Sequence, residues 1–425
     1  IAPVVARSEV LSIFFALLSL LFFVDKRYII SSVFFLAGLL AKDFVIFMLP
    51  FFGVLLLFEY KNFWLAVKRE LWYLPSLGIY FLLRYLALGR YAFTKFVFDP
   101  VTAPVSFMSA PERFFTAFRG LFLYFRNTFW PFGLIPDYSY NQYPAVTNIF
   151  RSPTAIIGLL FFLGLIWLTV KGRREVKIAA LLVLAPFVFI SNMFFVTSGS
   201  YADRWWYLPS FGLLALTVIG TEALAKRFSL GRFKKTWLVL GIVILIGYGY
   251  STVAYAGIWR NDRAFYVATA QKAPRNAWAR SNLAAVYLHD REFEKSRQEI
   301  EAALAIQPDD PHSLHILAKL YWQADNFKKA EATFQQALEY DYNRKNHRGL
   351  YRMLAFLYLD YGLNQRAFEM MAKTLEPISA ADERVTKIDE TLYKAIENYS
   401  QRDSQTYSQQ EKEELVQLIR IIRGF

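Results

Sequence analysis

An arginine beside an expected helix start is the strongest candidate for chemistry in this chain. Asp203 and Arg204 directly precede the segment Trp205–Ser210, which opens an apolar run. The guanidinium fork and a helix N-terminus both favour anions, so Arg204 suits a phosphate or pyrophosphate. The alternative is an interfacial anchor, because Trp and Tyr are enriched at the membrane boundary.

A second charged pair, Lys42 and Asp43, interrupts an apolar run of roughly thirty residues at 28–58. Charged side chains at membrane depth are costly and usually functional. A tight turn between two antiparallel helices, capped by Lys and Asp, explains the pair equally well. Arg84 and the group Arg7–Glu9 are weaker candidates of the same type.

A carboxylate and several aromatic residues lie together in the long segment 89–153. Asp137 and Tyr138 are close in sequence to Trp130, Asn141 and Tyr143. Such a group could hold a sugar ring, but it is also typical of an ordinary turn. The sequence contains no Walker loop, GxSxG elbow, HExxH motif or dinucleotide fingerprint.

Composition excludes several classes of site. The chain has no cysteine, which excludes disulfides, thiolate metal sites and cysteine nucleophiles, and its four histidines argue against a His-rich zinc site. The net charge of +13 would suggest nucleic acid in a soluble protein. Here the basic residues lie beside apolar segments, so we expect them to contact membrane lipids and set orientation, with no nucleic acid partner.

Apolar residues make up 55% of the chain and are concentrated before about Tyr255. Crossing a bilayer takes about 20 apolar residues, fewer inside a bundle. Eight segments are predicted as spans: Val10–Val24, Tyr28–Leu40, Phe44–Phe58, Leu71–Leu88, Thr154–Val170, Lys177–Phe195, Trp205–Leu224 and Thr236–Tyr255.

Basic clusters predict the direction of these spans. The clusters lie at residues 26–27, 61–69, 171–174 and 226–235. Counting spans places all four on one face, which we take as cytoplasmic. The other face then receives the long segment 89–153, the loop 197–204 and everything after the last span. Arg113–Leu134 is predicted as an interfacial or re-entrant helix, since a full span there would invert the count.

The chain repeats itself every 34 residues between about Ala264 and Pro377. The pairs 34 residues apart are Pro274 and Pro308, Ala284 and Ala318, Tyr287 and Tyr321, Phe293 and Phe327, and Leu304 and Leu338. This is the tetratricopeptide pattern, a helical hairpin that buries its apolar face by stacking on neighbours. The array could bind a protein or peptide, or rigidify its neighbour. The predicted domains are 1–256 (membrane), 257–379 (repeats) and 380–425 (capping helices).

Together these elements resemble the transmembrane and tetratricopeptide-repeat-containing (TMTC) family of protein O-mannosyltransferases, of the GT-C glycosyltransferase superfamily. The resemblance rests on Arg7–Leu11, on Ala41–Asp43 where the family commonly has Ser-Lys-Glu, and on Pro136–Ser139. It rests most on Ala202–Ser210, which is similar to the family's Glu-Arg-x-x-Tyr-Leu-Pro-Ser. The expected fold class is all-α: a polytopic GT-C-like bundle of about eight spans, then a tetratricopeptide α-solenoid.

The resemblance implies transfer of a mannose-like sugar from a polyprenyl-phosphate donor to a protein or glycan acceptor outside the cytoplasm. The residues implied to bind the donor phosphate are Arg204, Lys42 and Arg84. Those implied to orient them, or a divalent cation, are Asp43 and Asp203. Those implied to contact sugar or acceptor are Asp137, Tyr138, Trp205 and Tyr207. The repeats would present the acceptor.

In the GT-C superfamily the catalytic acidic residue lies in the first outer loop, so we expect it upstream of Ile1 and expect this fragment alone to be inactive. No metal site is firmly predicted.

The competing functions are a non-enzymatic membrane-anchored tetratricopeptide scaffold for an envelope complex, and a flippase or polymerase for lipid-linked sugars. The lack of Cys and the compact loops favour a bacterial source with periplasmic repeats; the endoplasmic reticulum lumen is the eukaryotic equivalent.

Overall fold

The structure is a computed structural model that describes residues 7–93, 104–138, 142–197, 199–227, 234–341 and 347–375, together with residue 394. These residues form helices and turns and contain no strand. They fall into two compact units, Ile1–Asn276 and Ala277–Phe425. The all-α fold class is therefore confirmed.

The first unit contains eleven numbered helices in its described part. The first five are α1 (Arg7–Val24), α2 (Tyr28–Ala41), α3 (Met48–Tyr60), α4 (Phe63–Glu70) and α5 (Leu74–Leu88). The next six are α6 (Ala110–Phe129), α7 (Pro153–Lys171), α8 (Arg174–Ile190), α9 (Tyr207–Arg227), α10 (Lys234–Ile258) and α11 (Asp262–Lys272). Short 3₁₀ turns precede α3, α5 and α9, at Asp43–Phe47, Leu71–Tyr73 and Asp203–Trp206.

Each of the eight predicted spans corresponds to a helix. Six helical stretches of the described part are long and apolar enough to cross a membrane: Arg7–Val24, Asp43–Tyr60, Phe63–Leu88, Pro153–Lys171, Asp203–Arg227 and Gly241–Ile258. The other two differ from these. The 14-residue α2 is apolar but shorter. The 17-residue α8 starts with charged residues and buries most of its apolar part. The chain is a multi-pass membrane protein.

The predicted interfacial segment forms α6, which is not among the six stretches of membrane length. A capping box at Ser109 and Glu112 and a proline at its start fix where it begins. One face of α6 is buried, and Gly158 of α7 lets the two backbones approach closely. A Cβ placed on Gly158 would lie 1.8 Å from the carbonyl oxygen of Phe118.

Hydroxyl groups and aromatic rings hold the early helices together. Ser31 of α2 hydrogen-bonds Ser19 of α1, and its Oγ is 2.6 Å from the Tyr73 hydroxyl. Tyr73 and Phe52 stack with ring centroids 5.0 Å apart. Between helices in lipid, small polar residues allow close contact and satisfy one another's hydrogen bonds. These contacts place the C-terminal end of α2 beside the N-terminal end of α1.

The basic residues of three predicted clusters lie at the end of the unit where α1 stops. Lys26 pairs with Glu59 at 2.8 Å, and Arg69 lies over the ring of Tyr28. Arg174 donates to the carbonyl oxygen of Val24 at 3.5 Å. The grouping predicted for these clusters is therefore present. The fourth cluster lies partly outside the described residues.

The described part of the second unit contains three helical hairpins. Its helices are α12 (Ala277–His289), α13 (Phe293–Ile306), α14 (Pro311–Gln323), α15 (Phe327–Tyr340), α16 (His347–Asp360) and α17 (Asn364–Leu375). The small repeat residues Ala284, Ala318 and Ala355 are fully buried, as helix contact requires. The tetratricopeptide prediction is confirmed. Apart from residue 394, the predicted capping helices at 380–425 lie outside the described residues.

The division between the units falls after Asn276, whereas the sequence prediction placed it at 256. The half-repeat α11 and the turn after it bond to the first unit. Lys272 donates to the carbonyl of Leu134, and Asn276 donates to Asp137. Packing therefore groups this helix with the membrane part.

Candidate functional site

A cavity of about 570 Å³ in the first unit collects charged residues from four separate segments. We call it the charged cavity. Its charged lining residues are Glu9, Lys42, Asp43, Arg84 and Arg204. Aromatic side chains, including Phe44, Tyr80 and Trp205, line the remainder. All three cations predicted to bind a donor phosphate thus lie in one cavity.

Glu9 joins two of these cations. Lys42 Nζ donates to Glu9 Oε1 at 2.5 Å, and Arg204 Nε lies 4.0 Å from the same oxygen. The Glu9 side chain is only 11% exposed, so the pair with Lys42 is weakly screened. Ser8 donates to the other oxygen, Oε2, at 3.0 Å. Residue type alone made Glu9 only a weak candidate, and the available signal was its position in the first turn of an apolar span.

The turn at Lys42 and Asp43 exists, but their side chains do not cap the helices. Lys42 ends α2 with extended backbone, φ −160° and ψ 130°, and Asp43 opens the following 3₁₀ turn. No side-chain cap hydrogen bond forms at this point. Both side chains turn instead towards the charged cavity, which makes a purely structural turn an incomplete explanation.

Arg84 reaches the charged cavity from the end of α5. Its guanidinium donates to the Tyr80 hydroxyl at 2.9 Å and to the Ala92 carbonyl at 3.0 Å. Its Nη1 lies 3.6 Å from Asp43 Oδ2, and Asp43 is 62% exposed. An exposed pair of this length contributes little stability, about 0–1 kcal/mol. Arg84 is thus oriented mainly by its hydrogen bonds.

Arg204 lies on a turn that α6 holds in place. Asn127 Nδ2 and the Tyr201 hydroxyl each donate to Asp203 Oδ1 at 3.0 Å. Tyr124 donates to the Ala202 carbonyl. The Trp206 indole donates to Thr128 Oγ1 at 2.8 Å. We call Tyr124, Asn127 and Thr128 the α6 clamp. The Arg204 side chain remains 52% exposed and free to meet a ligand.

Asp203 therefore does not share the charged cavity with Arg204. Its carboxylate belongs to an aromatic cluster in which Tyr124 stacks on Tyr201 and Trp206, with centroids 4.3 and 4.6 Å apart. Neighbouring side chains on this short turn point to different sides, which sequence adjacency could not reveal. Asp203 can orient Arg204 only through the backbone.

Asp137 and Tyr138 lie outside the charged cavity as well. Asn276 donates to Asp137 Oδ1 at 2.7 Å. Tyr138 is buried against the ring of Tyr201 at 4.6 Å, and this burial raises the pKa of its phenol. The remaining residues of that motif, 139–141, lie outside the described residues.

Tyr207 lines a different space, an apolar cavity of about 650 Å³ that also borders Asp203, Trp206 and Tyr248. Among the predicted sugar contacts, only Trp205 lines the charged cavity. The divalent-cation role suggested for Asp43 and Asp203 stays a prediction. The described residues contain no group of three or more His, Asp or Glu side chains that could hold a metal ion.

Comparisons with known proteins agree with this architecture. A family model described as Tetratricopeptide repeat matches residues 275–343. The chain is also 26% identical over 210 residues to Protein O-mannosyl-transferase TMTC3 of Mus musculus, covering 49% of this chain and 22% of the mouse protein. It is 25% identical over 251 residues to the Drosophila melanogaster Tmtc3 protein, covering 57% and 27%. The chain resembles the TMTC family.

A third relative matches over more of the sequence. A protein O-mannosyl-transferase of Caenorhabditis elegans is 23% identical over 292 residues, which is 67% of this chain and 40% of that protein. The resemblance inferred from the motifs is confirmed. The chain spans about a quarter of the length of the mouse and fly TMTC relatives.

Proposed function

We propose that this chain is part of a membrane glycosyltransferase. It transfers a mannose-like sugar from a polyprenyl-phosphate donor to a protein acceptor on the non-cytoplasmic face. The observation that carries the proposal is the convergence of Lys42, Arg84 and Arg204 on one cavity of a membrane bundle. The TMTC relatives, named protein O-mannosyl-transferases, support the choice of sugar.

The charge balance of the cavity suits a phosphate. Three cations face two carboxylates, Glu9 and Asp43, which leaves one net positive charge. A departing phosphate gains negative charge in the transition state, and fixed cations in a partly desolvated site stabilise that charge. Arg204 offers a planar fork that can bind two phosphate oxygens, whereas Lys42 acts as a point charge.

Glu9 serves the site by positioning cations. A general base must be free to take a proton from the acceptor hydroxyl. The carboxylate of Glu9 instead accepts from Lys42 and Ser8 and lies near Arg204. The cations stabilise its charged form. We therefore assign Glu9 a positioning role and not that of the general base.

The tetratricopeptide unit would bind the acceptor polypeptide. Arrays of helical hairpins form concave surfaces that take extended segments. A plain membrane anchor needs one span and no cation-lined cavity, so the charged cavity favours the enzyme over the scaffold alternative.

The decisive test is transfer activity of the intact protein with Arg204→Ala. Loss of a preorganised charge contact at the transition state should lower kcat/KM roughly 100-fold or more. Arg151→Ala is the matched control, because Arg151 is exposed and does not line the charged cavity. Both variants should insert normally. If Arg204→Ala transfers mannose from polyprenyl-phosphate mannose as fast as Arg151→Ala, the donor-site proposal fails.

A further inference from the structure

A second charged cavity, of about 250 Å³, lies at the end of the first unit where α1 stops and α8 starts. We call it the opposite-end cavity, because α1 runs from the charged cavity to this one over about 27 Å. Phe23, Leu55 and Phe58 form apolar walls. Glu59, Arg174 and Lys177 supply the charge.

Backbone carbonyls at helix ends hold the two cations of this cavity. Arg174 donates to the carbonyl of Val24, the last residue of α1, at 3.5 Å. Lys177 donates to the carbonyl of Val170 near the end of α7 at 2.9 Å. These carbonyls lack intrahelical partners, so they orient the cations without neutralising them. Within the described residues, neither cation forms an ion pair with a carboxylate.

The one acidic residue of the opposite-end cavity is already compensated. Glu59 Oε1 pairs with Lys26 Nζ at 2.8 Å. The lining charges of Arg174 and Lys177 are therefore left in excess. An anion entering here meets two positive charges rather than a neutral surface.

The surroundings of these cations select an amphipathic anion. The cavity lies at the ends of Arg7–Val24 and Asp43–Tyr60, two stretches of membrane length. The ammonium of Lys177 lies 4.2 Å from the ring centroid of Phe58, so charge and apolar surface adjoin directly. A ligand with a phosphate joined to hydrocarbon satisfies both parts, and basic pockets between membrane helices bind such headgroups.

We propose that the opposite-end cavity binds the headgroup of an anionic phospholipid. Arg174 and Lys177 hold the phosphodiester, and the first carbons of the chains lie against Phe58 and Leu55. This site is independent of the charged cavity and of the transfer reaction proposed for it.

Native mass spectrometry of the purified full chain with added phosphatidylglycerol tests this proposal. Arg174→Gln with Lys177→Gln should lower phosphatidylglycerol affinity roughly 25-fold, about fivefold for each cation removed near the membrane surface. The matched control is Lys171→Gln with Arg173→Gln, which removes two exposed charges from the same connection outside the cavity. Its affinity should stay close to that of the unmodified chain.

Further variants and a second ligand complete the binding experiment. If the double variant folds poorly, Arg174→Gln alone replaces it in the test. This variant changes an exposed side chain and should lower phosphatidylglycerol affinity about fivefold. Arg174→Lys should retain most binding. Equal losses in the cavity variant and its control would overturn the proposal. Inorganic phosphate binding as tightly as the lipid would overturn the lipid assignment in favour of a free anion.

Discussion

At the scale of single residues, Glu9 determines how the charged cavity is arranged. Its carboxylate is nearly buried and touches Lys42 directly, with Arg204 within 4.0 Å. Without it, two like charges would face each other across a cavity and move apart. A buried carboxylate between cations therefore preserves the spacing that a phosphate needs, and it does so before the ligand arrives.

Lys42→Met and Glu9→Gln should not have additive effects on kcat/KM. Each removes one half of the same ion pair, so the double variant should lose less than the two single losses combined. Residues in one salt-bridge network couple by about 0.5–3 kcal/mol. Steady-state kinetics of the intact protein with a polyprenyl-phosphate sugar provide the measurement.

Lys26→Met and Glu59→Gln form the matched control cycle. This pair has a similar separation, 2.8 Å, but lies at the other end of the bundle. Its variants should leave kcat/KM unchanged. Additive losses in the Lys42 and Glu9 cycle would show that Glu9 does not act through Lys42.

Residue types alone were sufficient to select Arg204, Lys42 and Arg84, since each is a charge in an apolar context. They could not show that Glu9 completes the group, because the contact depends on α1 and α2 packing side by side. They also could not show that the Asp203 carboxylate lies outside the charged cavity. Adjacency in sequence does not show on which side of a turn a carboxylate lies. Here the Asp203 carboxylate accepts a hydrogen bond from Asn127 of α6.

At the scale of elements, α6 acts as the support for the turn that carries Arg204. Its clamp residues contact Ala202, Asp203 and Trp206 through hydrogen bonds and ring stacking. A site residue on a short turn needs such support to hold its geometry. The sequence pattern predicted an amphipathic helix here. No local pattern could show that its buried face contacts the 201–206 segment.

Asn127→Leu should reduce transfer without reducing the amount of folded protein. The change removes the amide that donates to Asp203, which loosens the turn and lets Arg204 move from its position. Small misplacements of a positioning group lower rates by up to about 100-fold. We expect a loss of tenfold or more, measured as kcat/KM.

Asn62→Leu is the control for that variant. Asn62 caps α4 by accepting from the Leu65 amide, so its loss removes a helix cap of about 1 kcal/mol. It should leave transfer intact. If both variants lose activity equally, general destabilisation explains the result and the clamp has no special role.

The contact between α6 and α7 depends on a missing side chain. Gly158→Ala places a methyl group against the Phe118 carbonyl, and overpacking of this kind typically costs about 1–3 kcal/mol. Gly164→Ala, in the same helix, has nothing within 4 Å of the new Cβ. Thermal unfolding of the detergent-purified chain should show a lower Tm for Gly158→Ala alone. Equal Tm values would mean that the contact between α6 and α7 does not depend on a glycine at position 158.

At the scale of the whole molecule, the helices and repeats followed from periodicity and apolar length, because those patterns are local. Which end of the first unit faces the cytoplasm is a separate question, and its prediction depends on where the basic residues lie. The predicted clusters at 26–27, 61–69 and 171–174 gather at one end of the first unit, and the charged cavity lies at the other. The proposal requires this second end to face away from the cytoplasm.

Single cysteines offer a direct test of sidedness, since the chain has none of its own. Phe150→Cys and His289→Cys should react with a membrane-impermeant maleimide in intact cells or in right-side-out vesicles, where only the non-cytoplasmic face is accessible. Both positions are exposed. Lys61→Cys should react only after permeabilisation. Labelling of Phe150→Cys and His289→Cys from opposite sides would contradict the proposed arrangement.

The shortness of α2 has a consequence for the surrounding lipid. Fourteen helical residues span about 21 Å, less than the roughly 30 Å of a hydrocarbon core. One side of α2 is exposed, at Ile29, Val33 and Leu40, and local thinning of the adjoining leaflet is one way to match its length. Headgroups would then sink towards Lys42. A long isoprenoid carrier could present its phosphate there while its tail stays dissolved in the acyl chains, and hydrophobic mismatch would draw the substrate to the site.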